Sequence, residues 1–226
     1  LGRYIDGHLA QSGFAAGTLP YVGRRTAIVH AGVNPQMFAP SEPKVRGQIV
    51  FVGRLLPHKG VEHVIRGIPD GARLSVYGKP HDANYADFLR LEAEGRPVIF
   101  RENADDAEVV RALSCACAAV MPSVYEDYRG NRQHLPELLG LTALEAMACG
   151  TAIVVSQAGG LPEVVDPSYG AVVPPGDAGA IRAALEPLTS DPENAAIRGS
   201  MARDRILREF TWAAVAQRCL AEYNRY

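Results

Sequence analysis

The chain has 226 residues, 47% of them hydrophobic and 21% charged, with 23 basic against 25 acidic side chains and a net charge of -2. That is globular composition, long enough for a sizeable core, and it excludes the strong basic excess of a nucleic-acid binder. No apolar run reaches the roughly 18 residues that cross a bilayer. No charged and then apolar leader opens the chain at Leu1, so neither a transmembrane segment nor a signal peptide is expected and a cytoplasmic location is.

In chain order, Tyr4–Ser12 reads as helical, Thr26–His30 as a lone strand and Gly32–Pro43 as a Gly/Pro/Asn-bearing connector. One helix and one strand cannot bury a core of their own, so residues 1–45 are expected to be the tail of another domain with its connector. From residue 47 short apolar runs alternate with helical patterns. Strands are predicted at Gln48–Val52, Arg73–Tyr77, Val98–Phe100, Ala118–Met121, Ala152–Val155 and Ala171–Val173. Helices are predicted at Lys59–Ile68, Ala83–Ala93, Asp106–Cys115, Leu141–Cys149, Ala178–Leu188 and Ala195–Glu209. Strands apolar on both faces that alternate with helices imply a doubly wound parallel sheet with helices on both faces, an α/β domain over 46–210. Ligands of such sheets lie outside the carboxyl ends of the strands, which directs attention to the loops after Val52, Tyr77, Phe100 and Met121. Trp212–Tyr226 reads as a last amphipathic helix with Trp212, Val215, Ala216, Cys219, Leu220 and Tyr223 on one face, which must pack on something. Cys115 and Cys117 are too close together for a zinc knuckle. With Cys149 and Cys219 they read as reduced, buried thiols.

Two stretches carry candidate chemistry. Gly53-Arg54-Leu55-Leu56-Pro57-His58-Lys59-Gly60 follows the first strand of the sheet. A strand, a glycine turn and a helix direct free N–H groups at an anion, and Arg54 and Lys59 add two cations suited to a diphosphate. Loop cations are commonly just solvated, so both readings stand. The loop lacks the Gly-Lys-Ser/Thr of a P-loop and the G-x-G-x-x-G of a nicotinamide site. The second stretch runs from Pro136 to Gly150. Glu145 lies in a helix whose other members are nearly all apolar, where a carboxylate is costly unless something hydrogen-bonds it. Glu137 precedes that helix in the loop facing the same cleft. Ionised carboxylates only accept hydrogen bonds, and two in one cleft could each take a pair of hydroxyls, as on a sugar ring. Gly140 allows close backbone approach, and the helix beginning near Leu141 points its positive end at a phosphate between the two acids. The alternative is a Glu145 paired with a core arginine and a solvated Glu137.

These residues resemble a family. Glu137 and Glu145, with seven residues between them and Glu145 opening Glu-Ala-Met-Ala-Cys-Gly, together with the loop Gly53–Gly60, resemble the donor-binding C-terminal half of retaining GT-B glycosyltransferases of family 4. Gly159-Gly160-Leu161-Pro162-Glu163-Val164-Val165, and Ala31-Gly32-Val33-Asn34 with Phe38 and Pro40, are similar too, so the likeness runs from about residue 26 to the end. It implies a Rossmann-like domain that binds a nucleoside diphosphate sugar and transfers the sugar with retention, without metal or other cofactor. Arg54 and Lys59 would bind the diphosphate and offset charge as it leaves, and Glu137 would hold the sugar near the reacting carbon. Glu145 would take the ribose hydroxyls, with Gly53, Leu138, Leu139 and the backbone of Gly140, Leu141 and Thr142 lining the donor. Gly78 and Arg101 are the candidates for the base, whereas Gly159, Gly160 and Glu163 read as structural.

Two departures stand out. Asp127–Pro136 is an insertion between Pro122-Ser123-Val124-Tyr125-Glu126 and Glu137, in which Tyr128, Arg129, Arg132 and His134 face either a substrate or solvent. Gly78-Lys79-Pro80 stands where relatives often have a second glycine. The resemblance further implies an acceptor-binding N-terminal half beyond this sequence, through which the acceptor and any peripheral membrane contact would come. The C-terminal helix at 211–226 would pack back towards that half, and the isolated piece would be inactive alone. The competing readings are a non-catalytic nucleotide-binding or interaction module with structural glutamates, a GT-B sugar-nucleotide epimerase, and a phosphorylase, for which no pyridoxal-phosphate lysine context exists.

Overall fold

The computed structural model describes residues 7–19 and 25–225. Its centre is a six-stranded, wholly parallel sheet, β3 (Gln48–Val52), β4 (Arg73–Tyr77), β5 (Val98–Arg101), β6 (Ala118–Met121), β7 (Ala152–Ser156) and β8 (Gly170–Val173), in the spatial order β5-β4-β3-β6-β7-β8. The chain therefore fills one side of β3 and then crosses to the other, with the switch point between β3 and β6.

Alternation along each strand builds two cores. Ile49, Phe51, Leu74, Val76, Val120 and Val154 pack against α2 (Val61–Arg66), α3 (Ala83–Glu92) and α6 (Ala178–Ser190). Val50, Ala119, Met121, Ile153 and Val155 point the other way, onto α4 (Asp106–Cys115), α5 (Leu141–Ala148) and α7 (Pro192–Glu209). Both faces are covered, as runs of apolar residues without polar alternation require. The Asp82, Asp105, Asp177 and Asp191 side chains each cap a helix by accepting from a first-turn N–H.

The α2/α3 contact contains a polar device. The Tyr85 hydroxyl donates to Glu62 Oε2 at 2.5 Å and accepts from Val61 N at 2.9 Å, and both Tyr85 and Glu62 are fully buried. Burial pushes the Glu62 carboxyl upward, against the pull of the Tyr85 hydrogen bond. Tyr85→Phe leaves two buried groups without this partner. It is expected to lower the unfolding free energy by about 2–3 kcal/mol, read from urea unfolding.

The first segment differs from expectation. Gly7–Ala10 is a strand (β1), not part of a helix, and it pairs in parallel with β2 (Arg25–Ile28), so the strand near Thr26 is not alone. Residues 4–6 of the expected helix lie outside the described residues. Among the described residues of this segment only the five-residue α1 (Gly13–Gly17), capped by Ser12, is helical. Nonlocal pairing overrides the local pattern here, and Gly7 already weighed against a helix. The segment is tied to the sheet domain by Glu163, whose carboxylate accepts from Gly13 N (2.8 Å) and Phe14 N (2.9 Å) and lies 3.2 Å from His30 Nε2.

The C-terminal helix α8 (Trp212–Tyr223) forms, but no residue of it is buried. Val215 and the edge of the Trp212 ring lie against Gly32, yet Trp212, Leu220 and Tyr223, expected on the packed face, are 57%, 59% and 62% exposed. All four cysteines are free thiols, with Cys117 and Cys149 buried and Cys115 and Cys219 half-buried.

Candidate functional site

A cavity of about 560 Å³ opens at the switch point, between the loops that follow β3 and β6. Gly53, Arg54 and Lys59 line it from the first loop, and Glu137, Leu138, Leu139, Gly140, Leu141 and Thr142 from the second. The sequence singled out all nine. Parallel strands end together at this edge, and the reversal of strand order leaves no crossover to fill the gap.

Lys59 Nζ forms an ion pair and hydrogen bond with Glu137 Oε1, which also accepts from Ser123 Oγ at 3.1 Å. Glu137 is thus neither solvated nor free. It is held, half-buried, at the cavity wall against a cation. Its main chain is fixed as firmly. Gly160 N donates to Glu137 O at 3.0 Å, and a Cβ on Gly159 would lie 1.9 Å from that oxygen. Ser12 Oγ donates to Leu138 O from the first segment. Gly159 and Gly160 are therefore structural in a particular sense: they let the loop carrying Glu137 press against the turn after β7.

Arg54 is exposed and has no carboxylate partner among the described residues. The expected contribution from the N-terminus of the following helix does not materialise. A 3-10 turn, Pro57–Lys59, intervenes, and the first N–H of α2 is taken by the Tyr85 hydroxyl. Cationic side chains, not helix amides, supply positive charge on this side. The helix on the other side does supply amides. Gly140, in the left-handed region at φ 98°, opens α5, and the N–H groups of Leu141 and Thr142 have no carbonyl partner within that helix.

Glu145 does not line this cavity. It lies one turn beyond Leu141 on the same side of α5, half-buried, with Asp106 of α4 as a nearby like charge. No arginine pairs with it, and no hydrogen-bond donor reaches its carboxylate among the described residues. Burial, and then Asp106, push its pKa up to about 7. A half-buried carboxylate without a protein partner is an unfilled acceptor.

Gly78 and Arg101 also lie outside the cavity lining. Gly78 is packed so closely that a Cβ there would come within 1.8 Å of Gly53 O, so its close approach serves the neighbouring loop. Arg101 is exposed, with Nε 4.0 Å from Glu108 Oε1. Tyr128, Arg129, Arg132 and His134 of the insertion do not line the cavity either, whereas its residues Gln133, Leu135 and Pro136 do.

Sequence reasoning gave no role to Gln11, His58 or Ser123, which line the cavity as well. Ser123 follows the end of β6 and His58 adjoins Lys59, so their position was a usable signal, whereas Gln11 arrives only through tertiary docking. Burial and then the Lys59 charge hold the His58 pKa below its ordinary value, which favours the neutral imidazole. Among the described residues no group of three or more His, Cys, Asp or Glu side chains could hold a metal ion, and no helix is long and apolar enough to cross a membrane.

Six parallel strands in this order, with the cavity at their reversal, define the Rossmann-like α/β domain found in GT-B glycosyltransferases. The chain belongs to the glycosyl transferases group 1 family, whose profile matches residues 34–205. The alpha-maltose-1-phosphate synthase of Mycolicibacterium smegmatis is 31% identical over 231 aligned positions, covering 89% of this chain and 57% of that protein. Among solved structures, sucrose-phosphate synthase from Thermosynechococcus elongatus superposes with a TM-score of 0.80 at 26% identity, over 97% of this chain and 58% of that one. Anabaena HepE in complex with UDP-glucose gives 0.82 at 17% identity, over 99% of this chain and 65% of that one, a likeness of fold alone. The chain spans about half the length of the curated relatives it matches.

Proposed function

We propose that this chain is the donor half of a retaining glycosyltransferase that moves a sugar from a nucleoside diphosphate sugar to an acceptor. The observation that carries the reading is the Glu137–Lys59 pair at the switch-point cavity, with Arg54 beside Lys59 on one side and the N-terminal amides of α5 on the other. A diphosphate placed there meets two cations and a helix N-terminus, while the adjacent carboxylate accepts hydroxyls of the attached sugar. Arg54 and Lys59 stabilise the charge that develops on the departing diphosphate, the task a metal ion performs elsewhere, and no metal takes part. Glu145 receives the ribose hydroxyls from the next turn of α5. Retention follows from attack on the face the diphosphate leaves, which calls for no nucleophilic side chain on the protein. The family resemblance supports that step, and the bound UDP-glucose of the Anabaena neighbour supports the donor class.

Residues 1–45 and 211–226 form the junction with an acceptor-binding half in this reading. Gln11 at the cavity and the exposed face of α8 support that assignment. Calorimetric titration of the chain with UDP, GDP and ADP tests the function. One of them is expected to bind in the parent, and its binding to be lost in Arg54→Ala/Lys59→Ala. Heat from none of them, or affinity unchanged in the double variant, would favour a non-catalytic module.

A further inference from the structure

The insertion at 127–136 is exposed to solvent from Arg129 to Leu135, yet it is tied down by specific contacts. It is a folded turn bolted to the protein at one end and open to the cavity at the other. Glu126 and Arg132 form an antiparallel bridge, Asp127 N donates to Asn131 O at 3.0 Å, and the Asp127 carboxylate accepts from Arg129 N (2.8 Å) and Asn131 N (3.0 Å). The Tyr128 ring stacks on Phe88 of α3 with centroids 4.2 Å and planes 10° apart, and lies 5.5 Å from Tyr85. Arg129 covers the other side of that contact. Its Nε donates to the Tyr128 hydroxyl at 2.8 Å and its Nη1 to Asp82 Oδ2 at 3.1 Å. Stacked aromatic pairs of this kind are worth about 1 kcal/mol beyond the area they bury, enough to hold a short turn in one place.

From that anchor the chain returns to the site. Gln133 N donates to Tyr125 O at 2.7 Å, and Gln133, Leu135 and Pro136 then line the cavity immediately before Glu137. The stretch enters the cavity from the N-terminal side of Glu137, whereas α5 and Glu145 leave from its C-terminal side. With the diphosphate at Arg54 and Lys59 and the ribose towards Glu145, the wall on the entering side faces the sugar. Gln133 is exposed, with a carboxamide that can donate and accept, and Leu135 is 47% exposed beside it.

We propose that residues 126–136 form a fixed wall that reads the transferred sugar of a nucleoside diphosphate sugar. Gln133 is its hydrogen-bonding group, Leu135 its apolar face and Tyr128 the positioning residue that holds both in place. The inference rests on the donor-binding reading above and adds to it the element that selects the sugar.

The test compares each sugar nucleotide with its own diphosphate. The 226-residue chain is titrated with UDP-glucose and UDP, GDP-mannose and GDP, and ADP-glucose and ADP, and the pair that binds is carried forward. Gln133→Ala is expected to weaken the sugar nucleotide about tenfold and to leave the nucleoside diphosphate within about twofold. Tyr128→Ala should lower the same ratio and Tyr128→Phe, which keeps the stack, should restore it. A ratio unchanged in Gln133→Ala and Tyr128→Ala, or an equal loss for both ligands, overturns the proposal while leaving donor binding intact. Binding of neither member of any pair to the parent chain is a different result: it removes the donor-binding reading and this inference with it.

Discussion

Lys59→Met is expected to weaken nucleoside diphosphate binding by about 100-fold, and Glu137→Gln to strengthen it several-fold. In the free protein Lys59 is already committed to Glu137, both half-buried. A diphosphate arriving at Arg54 and Lys59 therefore meets a cation partly neutralised by its neighbour. Removing the lysine deletes a charge-assisted hydrogen bond, worth about 1.5–3 kcal/mol, and leaves the Glu137 carboxylate facing an anion with Ser123 as its one remaining side-chain hydrogen-bond donor among the described residues. Both effects have the same sign, which places the loss near the top of that range. Removing the carboxylate charge instead frees the lysine for the ligand. The two variants should therefore move UDP affinity in opposite directions if UDP is the ligand, while both abolish transfer in a complete enzyme. Calorimetry reads the first pair of effects. A loss of affinity in both variants would indicate that the ion pair only holds the loop.

Glu145 gives the second large effect, through pH. Burial and Asp106 place its folded pKa at about 7, above the 4.5 of a free glutamate. The folded state thus holds the proton more tightly than the unfolded state. Stability is greatest below about pH 4.5 as far as this group is concerned, falls as pH rises to about 7, and is level beyond. The fall is about 3 kcal/mol at its largest. Glu145→Gln should remove that slope and leave the protein more stable at pH 8 than the parent, as urea unfolding at pH 5 and pH 8 will read. Hydroxyls of a bound ribose favour the ionised carboxylate. The sugar nucleotide that binds, whose diphosphate diester does not titrate in this range, should therefore bind more tightly at pH 8 than at pH 6 and release a proton at pH 6. In Glu145→Gln affinity should fall at least tenfold at pH 8 and become independent of pH. A binding curve with the same pH dependence in the variant would remove Glu145 from the ribose site.

The pattern of residues disclosed the sheet almost to the residue, because strands such as Gln48–Val52 and Ala152–Val155 are apolar on both faces and only a doubly covered sheet accepts that. The cavity was legible for the same reason: Arg54, Lys59 and Glu137 lie in loops at the carboxyl ends of two adjacent strands. What escaped depends on partners distant in the chain. Gly7–Ala10 becomes a strand only by pairing with Arg25–Ile28. Val61 N looks free in sequence and is in fact occupied by Tyr85, twenty-four residues on. Gly78 follows β4 and Arg101 ends β5, but that edge of the sheet lies to one side of the reversal and neither residue borders the cavity. The face of α8 split for a related reason, since helical spacing shows which residues share a side but not how much protein lies against it. The insertion was visible as a length difference, and only the structure shows Tyr128 stacked on Phe88 at one end and Gln133, Leu135 and Pro136 on the cavity at the other.

The most direct measurement is a crystal structure of this chain grown with the nucleoside diphosphate that binds it. The diphosphate is expected between the Arg54 guanidinium and Lys59 Nζ, its oxygens within hydrogen-bond reach of the Leu141 and Thr142 amides, with the ribose hydroxyls on Glu145. A nucleotide bound away from the β3/β6 reversal, with Glu137 and Lys59 still paired and Glu145 untouched, would contradict the account.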